Sequence, residues 1–526
     1  MILRKLRQLI SSYRFRAWHA YLFLALAPFL LYFHSIWFGY TYLDDQSLIL
    51  ESADILRRAS PSEIFLNDVF FGAAKFYYRP LLTWSFVLDW HLGGGSIAFF
   101  HLTNLLYHSL SVCLAYALLL RTGIRRKVAF WLSLFFAIHP ALVQAAIWIP
   151  GRNDVLAAAF IFLTLIFVSR WFREEKGRDL GLSWLFFLLA LLTKETAALL
   201  PFLALGWILV YERRYFSWFK LGLASAGAAV SGFVWYLLRA AALDGGSSGG
   251  LLSSLADNLL SPVIFLGKAL LPFNLSVYPV PADANWFFGI ASILMLAALL
   301  AVSRPRNWRG VAYGFLWFWP LLVLGSARPD GEIYRNFMEH RLYIPIFGLM
   351  LILAETVRYW DRVGAEWRRR LIGAGLILFI FLSYQHSWHF RDRLVFWQQA
   401  TESSPHSSLA QRNLGAMEYL DGNADDAEKR YLESLRLNPE EPMVHNNLAV
   451  IYMDRGDWRR AETELKEELK INPEYDVALF NLGRVYLEKR RFHDASLLFR
   501  ETLRVNPRHP EAAAKLAEAL EGMNEQ

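Results

Sequence analysis

Residues 37–49 read WFGYTYLDDQSLI. Here a run of lipid-like side chains that begins near Trp18 gives way to two adjacent carboxylates, Asp44 and Asp45, bracketed by aromatics. An apolar run of roughly 18 residues or more reads as a membrane-crossing helix, because it matches the hydrocarbon thickness and closes its own backbone hydrogen bonds. The acids therefore stand where the chain leaves a membrane. A water-exposed turn would account for them, and so would a site where a membrane-embedded substrate meets a water-soluble one.

The whole chain repeats the apolar pattern. Of 526 residues 55% are hydrophobic, 16% aromatic and 19% charged. Tryptophan and tyrosine are abundant enough for aromatic belts at two interfaces. Residues 401–526 carry 17 Lys and Arg against 24 Asp and Glu, net −7; the rest carries 37 against 23, net +14. That positive charge lies in short loops between apolar runs, which argues against nucleic-acid binding. The only cysteine, Cys113, lies inside an apolar run, so there is no disulfide framework. The first run is too long for a cleaved signal peptide and lacks a small-residue cleavage site, so it reads as retained.

Eleven spans are expected, starting near Trp18, Ile97, Val128, Asp154, Gly181, Thr196, Ser217, Trp286, Gly310, Leu342 and Leu371. Arg4, Lys5, Arg7, Arg14 and Arg16 precede the first. RTGIRRK, SRWFREEKGR, YERRYFSWFK, SRPRNWR and RYWDRVGAEWRRR then occupy every second connection, which places these sites and the N-terminus in the cytoplasm. The other connections, with Asp44 and Asp45, face outward, and so do the residues after the last span. In a bacterium that means an inner-membrane protein whose C-terminal part is periplasmic. The stretch 255–275 reads as an interfacial or re-entrant helix. The first outer loop, 39–96, is long and has apolar residues at helical spacing, suiting short helices on the membrane surface.

Beyond this membrane domain (1–398) the character changes. Pro405, Pro439, Pro473 and Pro507 recur at a period of 34, as do Ala427, Ala461 and Ala495, and Leu414, Leu448 and Leu482. This is the signature of the tetratricopeptide (TPR) repeat. Residues 399–526 are read as three repeats, about 408–441, 442–475 and 476–509, with a capping helix at 510–526. The fold class is all-α: a polytopic membrane helix bundle followed by a TPR solenoid. Its concave face should include Arg412, Glu418, Asn446, Asn447, Tyr452, Asn481 and Arg484, with Arg412, Asn447, Tyr452 and Asn481 the candidates for gripping a protein or peptide acceptor. The joining stretch RDRLVFWQQATESSPHSS lacks Gly and has helical spacing, so it should be a stiff connection.

Polar groups gather at the expected outer ends of spans: Arg79; His139, Gln144, Arg152, Asn153 and Asp154; Lys194 and Glu195; Glu339, His340, Arg341 and Tyr343. Charge at membrane depth usually faces a polar cavity. Plainer readings exist for each: Asn153 or Asp154 as a helix cap, Arg79 and Arg341 snorkelling to headgroups, Lys194–Glu195 as a loop pair, His101 and His108 as packed helix residues. Together, however, they suggest a reaction. Arg79, Arg152, Lys194 and Arg341 would hold a lipid phosphate, with His139, Asp154, Glu195, Glu339 and Tyr343 in support. Asp44 or Asp45 would take a proton from an incoming hydroxyl. A sugar on a polyprenyl phosphate would be the donor substrate, with no further cofactor; a divalent cation on the paired acids is left open.

The motifs FGYTYLDDQSLI, YYRPLLTWSF, HLTNLLYHSL, IHPALVQAAIWIPGRNDVL, LLTKETAALLP and EHRLYIP, followed by FWQQATESSPHSSLAQRNLG and TPR repeats, resemble the transmembrane and TPR-containing O-mannosyltransferases and their bacterial relatives. The resemblance covers nearly the whole chain. It implies a GT-C fold with eleven spans, and transfer of mannose from a dolichyl-phosphate donor to Ser or Thr hydroxyls. It also implies that an acid of the first outer loop, matched by Asp44 or Asp45, contacts the acceptor. The chain departs from the pattern in having about three repeats, and in Gln144 where many relatives carry an acid.

The alternatives are a membrane-anchored TPR scaffold without catalysis and a transporter. An anchor needs one span rather than eleven. Transporters place polar groups near the midplane, whereas here they collect at one rim.

Overall fold

Every regular element of the described residues is helical. The computed structural model describes residues 17–71, 77–243, 251–305, 307–327, 336–356 and 363–525, and the chain divides into two units after Phe396.

In the first unit each of the eleven expected spans falls on a helix, but not all have the length of a crossing. Among the described residues six are long and apolar enough: Trp18–Trp37, Ile97–Arg121, Ile149–Glu174, Trp218–Leu243, Trp286–Ser303 and Ala365–Phe390. A seventh, Arg126–Ala137 with Pro140–Ile147, is bent by 57°. The rest are shorter or less uniformly apolar; Ile346–Glu355, at ~1.5 Å per residue, covers about half of a ~30 Å hydrocarbon core. Length and composition thus support six or seven crossings where periodicity counted eleven.

The bend occurs where Pro140 cannot continue the helical ladder. The His139 ring substitutes: Nδ1 accepts from the Ala141 N–H at 3.2 Å and Nε2–H donates to the Ala269 carbonyl at 2.9 Å. His139, expected to support the site, is therefore a buried structural cap.

Burial runs inside out for a water-soluble protein. The central Ile149–Glu174 is 72% buried over its apolar window, whereas Trp218–Leu243 is 11% buried and exposes Phe219, Val230, Phe233 and Tyr236. So much exposed apolar surface requires an apolar surround. The ambiguous stretch 255–275 contains the helix Ser261–Leu270, which lies buried in the bundle rather than on its surface. It meets Trp286–Ser303 backbone to backbone, and a Cβ on Gly267 would lie 2.7 Å from the Gly289 nitrogen.

The first loop is folded. Gln46–Leu50, Ala53–Arg58 and Pro61–Phe65 are short helices, the last opened by a Ser60/Glu63 capping box. Pro80–Gly93 forms a further helix that periodicity missed. Ile49, Leu56, Ile64, Leu82 and Phe86 close over Phe100 and Ile149 as a small separate core.

The second unit contains helix pairs Ser408–Leu420/Ala424–Leu437, Val444–Asp454/Trp458–Ile471 and Asp476–Glu488/Phe492–Val505, then Ala512–Asn524. The recurring Ala427, Ala461 and Ala495 are fully buried where the paired helices touch, with Tyr431 and Phe499 packed beside them. It is a TPR solenoid.

Candidate functional site at one end of the helix bundle

The acidic pair is split by its own turn. Tyr42 takes up the left-handed conformation (φ 58°), which directs the N–H groups of Thr41 and Leu43 to one carboxylate. That carboxylate is Asp45, at 2.6 Å from Thr41 N and 3.0 Å from Leu43 N, and the Thr41 hydroxyl also donates to it. Asp45 is buried, and burial pushes its pKa up to about 6 against the pull of these donors. Asp44 is exposed. Asp45 shapes the turn, and Asp44 is the acid the turn presents.

Trp148 joins this turn to the bundle. Its indole N–H donates to the Thr41 hydroxyl at 3.0 Å, and its ring lies 5.5 Å from the His340 imidazole. His340 donates both its backbone N–H and its ring Nδ1–H to the Gln144 carbonyl oxygen, at 3.0 and 3.1 Å. Gln144 in turn donates to the Val277 carbonyl at 3.1 Å. An acid at 144 would lack that donor, which accounts for the amide here. Burial, then the charges of Lys194, Arg341 and Arg79, pushes the His340 pKa well below its usual value.

Behind His340 lies the ionic centre. Lys194 Nζ donates to both oxygens of Asp154, at 2.7 and 2.6 Å, and the pair is buried. The carboxylate lies 4.0 Å from His340 Nε2. Lys194 and Arg341 line one narrow cleft with Asp154, Thr196 and Gly325. Arg341 donates to the backbone and side-chain carbonyls of Asn336 at 2.6 and 2.8 Å. Arg79 pairs with Glu195 at 3.1 Å, lies over the Tyr77 ring and acts electrostatically on the same Asp154. Among the described residues, Arg79, Lys194 and Arg341 thus lie about the carboxylates of Asp154 and Glu195.

Arg152 does not belong to that set. Its five N–H donors go to Asp89, Asn104, Ser85, the Phe100 carbonyl and Thr103, and the side chain is fully buried between the rings of Phe86 and Tyr107. The sequence expectation of a phosphate ligand is corrected: Arg152 is a structural strut. Asn104 relays it to the Trp148 carbonyl at 3.1 Å, so the strut steadies the turn that carries Trp148. Gly151 in that turn lies against the Gln144 carbonyl, where a Cβ would approach to 2.6 Å.

The turn Glu339–Leu342 is pinned from several elements. Glu339 accepts from Lys268 at 2.5 Å, from the Ser276 N–H at 2.8 Å and from His386 at 2.9 Å, all buried residues. Tyr343 donates to His108 Nδ1 at 2.7 Å, while His108 Nε2–H donates to the Ala137 carbonyl. Glu339 and Tyr343 thus brace this turn from within the bundle. Lys268 and His386 carried no signal in the sequence: one lies in the ambiguous stretch 255–275, the other at the end of the last long helix. Among the described residues no three His, Cys, Asp or Glu side chains are grouped to hold a metal ion.

Comparison with known proteins adds a family to this geometry. Tetratricopeptide-repeat profiles match residues 421–476 and 453–520. The protein O-mannosyl-transferase Tmtc2 of Drosophila melanogaster is 32% identical over 193 residues, 34% of this chain and 20% of the relative. The human protein O-mannosyl-transferase TMTC3 is 27% identical over 159 residues, 29% and 17% of the two chains. A Caenorhabditis elegans protein O-mannosyl-transferase is 23% identical over 392 residues, 69% of this chain and 54% of the relative. This chain resembles the TMTC proteins. Its matches to the fly and human relatives span a fifth or less of their length.

In this TMTC-like chain the TPR residues expected to grip an acceptor divide as well. Tyr452 is buried and donates to Glu428 at 2.9 Å, so it ties one repeat to the next instead of lining a groove. Arg412 donates to the buried Glu441 at the end of its own repeat, at 3.0 Å, and to the Pro442 carbonyl that opens the next, at 3.2 Å. Asn481 donates to Asn446 at 2.9 Å, and Asn446 to Asn447 at 3.3 Å. Tyr452 and Arg412 are corrected to repeat-stacking roles; Asn447, half-buried, stays a candidate contact.

Proposed function

We propose that this protein is a membrane glycosyltransferase that moves a mannose-like sugar from a polyprenyl phosphate to a Ser or Thr hydroxyl of a protein, outside the cytoplasm. The observation that carries this reading is the continuous set of contacts from the acidic turn through Trp148 and His340 to the Asp154–Lys194 pair, with Arg79 and Arg341 beside it. Lys194 and Arg341 border one narrow cleft, and the exposed Asp44 belongs to the turn that Trp148 links to it. The acceptor hydroxyl would give its proton to Asp44 as its oxygen bonds to the sugar C1. The bond from C1 to the phosphate oxygen breaks in the same displacement, and its electron pair leaves with the lipid phosphate. Arg79, Lys194 and Arg341 would stabilise that departing charge without reorganising. The names of the relatives support the mannosyl assignment. The basic residues before the first span and the acidic pair after it support a cytoplasmic N-terminus and an outward-facing acidic turn. TPR repeats suit a protein acceptor or partner. The test is transfer by the purified full chain from polyprenyl-phosphate mannose to Ser/Thr peptides. Retention of transfer in both Asp44→Asn and Lys194→Met would refute the site.

A further inference from the structure

The segment that leads into the acidic turn is fastened along its length to the end of the last long helix. His34 Nε2 and the Ser387 hydroxyl share a hydrogen bond at 2.7 Å. The Trp388 ring stacks on His34 at 5.2 Å and meets Phe38 at 5.4 Å. Further along, the Gly39 N–H donates to the Arg391 carbonyl at 2.7 Å. The Arg393 guanidinium then lies over the Tyr42 ring, 5.3 Å from its centre. Residues 34–42 and 387–393 thus run side by side, and the last contact falls on the residue that makes the turn.

Tyr42 is left-handed without being a glycine, a conformation that persists only where the surroundings over-determine it. Asp45 gathers the N–H groups on either side of it. Arg393 holds its side chain, since a cation over the face of an aromatic ring is attracted by the ring's negative face. Arg393 is itself firmly placed. It opens the helix Arg393–Ser403, where one Asp392 oxygen accepts from the Val395 N–H at 2.9 Å and the other from Arg391 at 2.7 Å. One turn on, Phe396 packs against Phe390 at 5.7 Å.

The same helix end reaches the cations. His386, immediately before Ser387, donates to Glu339, whose turn carries His340 and Arg341. Adjacent residues of one helix therefore hold that turn and the approach to the acidic turn. We propose that Arg393 is a positioning residue for Asp44: its guanidinium on the Tyr42 ring, with the Gly39–Arg391 hydrogen bond beside it, keeps the acidic turn in the conformation that presents Asp44. The inference rests on the proposed function, in that it takes Asp44 to receive the acceptor's proton. A base must stand within hydrogen-bond reach of the hydroxyl it deprotonates, and a misplacement of about 1 Å is costly in rate. Arg393 acts on the acid through Tyr42 and has no part in binding the lipid phosphate.

The test uses the full chain in lipid nanodiscs, with amide hydrogen exchange over residues 41–45 measured beside kcat and KM for polyprenyl-phosphate mannose. Arg393→Ala should speed exchange in that segment, lower kcat about tenfold, the order of a lost cation–ring contact, and leave the lipid-donor KM unchanged. Arg393→Lys keeps a cation over the ring and should restore most of both losses. Tyr42→Leu, which removes the ring, should match Arg393→Ala, and the double variant should add nothing, because each change deletes the same contact. Unchanged exchange in Arg393→Ala, additive losses in the double variant, or a donor KM that rises as kcat falls overturns the inference and leaves the proposed function standing. A wild type that transfers no sugar defeats the proposed function instead, and the exchange data then decide whether Arg393 holds the turn.

Discussion

The Trp148 ring lies 5.5 Å from the His340 imidazole while its N–H is held by Thr41 at 3.0 Å. Residues from three distant parts of the chain thereby share one boundary, with the acidic turn on one side and the ionic centre on the other. Trp148→Phe keeps the ring contact and loses the hydrogen bond, leaving the Thr41 hydroxyl without that donor. Turnover should fall while lipid-phosphate affinity holds, since the cations do not touch the indole N–H. Separate measurement of kcat and lipid-donor KM checks this.

The two acids should be separable. Asp44→Asn is expected to lower kcat about 100-fold or more with unchanged thermal unfolding, the loss typical of a missing general base. Asp45→Asn should loosen the turn and cost less in rate. An equal effect of both on stability and rate would contradict the division of labour.

Asp45 also sets a pH dependence. Its folded pKa, about 6, lies above the ordinary 3.8, so the fold favours the protonated acid. The stability that this gives the turn is fully present below about 3.8 and is lost as pH rises through about 6. Limited proteolysis within 40–50 should accelerate over that range in the wild type and show no such transition in Asp45→Asn.

Lys194→Met leaves Asp154 buried without its lysine, and removing one member of a buried pair costs ~3–5 kcal/mol. Asp154→Asn/Lys194→Met should recover most of that stability and none of the activity. Recovery of both would mean that the pair is only structural. By the same reasoning Lys268→Met should destabilise the protein by unpairing Glu339, while conservative Lys268→Arg restores part of the loss, read by thermal unfolding beside lipid-donor KM.

Arg152→Lys should destabilise the fold without changing lipid-donor KM of the folded protein, since a lysine cannot satisfy five acceptors. A selective rise in KM would return Arg152 to the donor site.

That last residue shows what a sequence conveys. Arg152 and Asp154 are neighbours in the sequence yet lie ~200° apart around one helix, so adjacency placed both at the rim whereas the helix sends them to different networks. Lys194, Glu195 and Arg341 were legible because charge between apolar runs is conspicuous. Thr41 and Trp148 were not, because nothing in their local pattern marks a long-range hydrogen bond. The TPR unit was legible from its period, which states one supersecondary unit three times. The bundle was legible as helices but not as crossings: apolar periodicity registers a helix without registering whether Ile346–Glu355 is long enough to span. Tyr452 was misplaced because a tyrosine inside a repeat packs between repeats as readily as it lines their concave face.

The most direct measurement is sugar transfer by the purified full chain in lipid nanodiscs, from radiolabelled polyprenyl-phosphate mannose to a Ser/Thr peptide. The expected result is label on peptide hydroxyls with release of lipid phosphate, reduced about 100-fold or more in Asp44→Asn while binding of the lipid phosphate persists. Transfer that survives in Asp44→Asn, or a wild-type protein that binds the donor and moves no sugar, would contradict it.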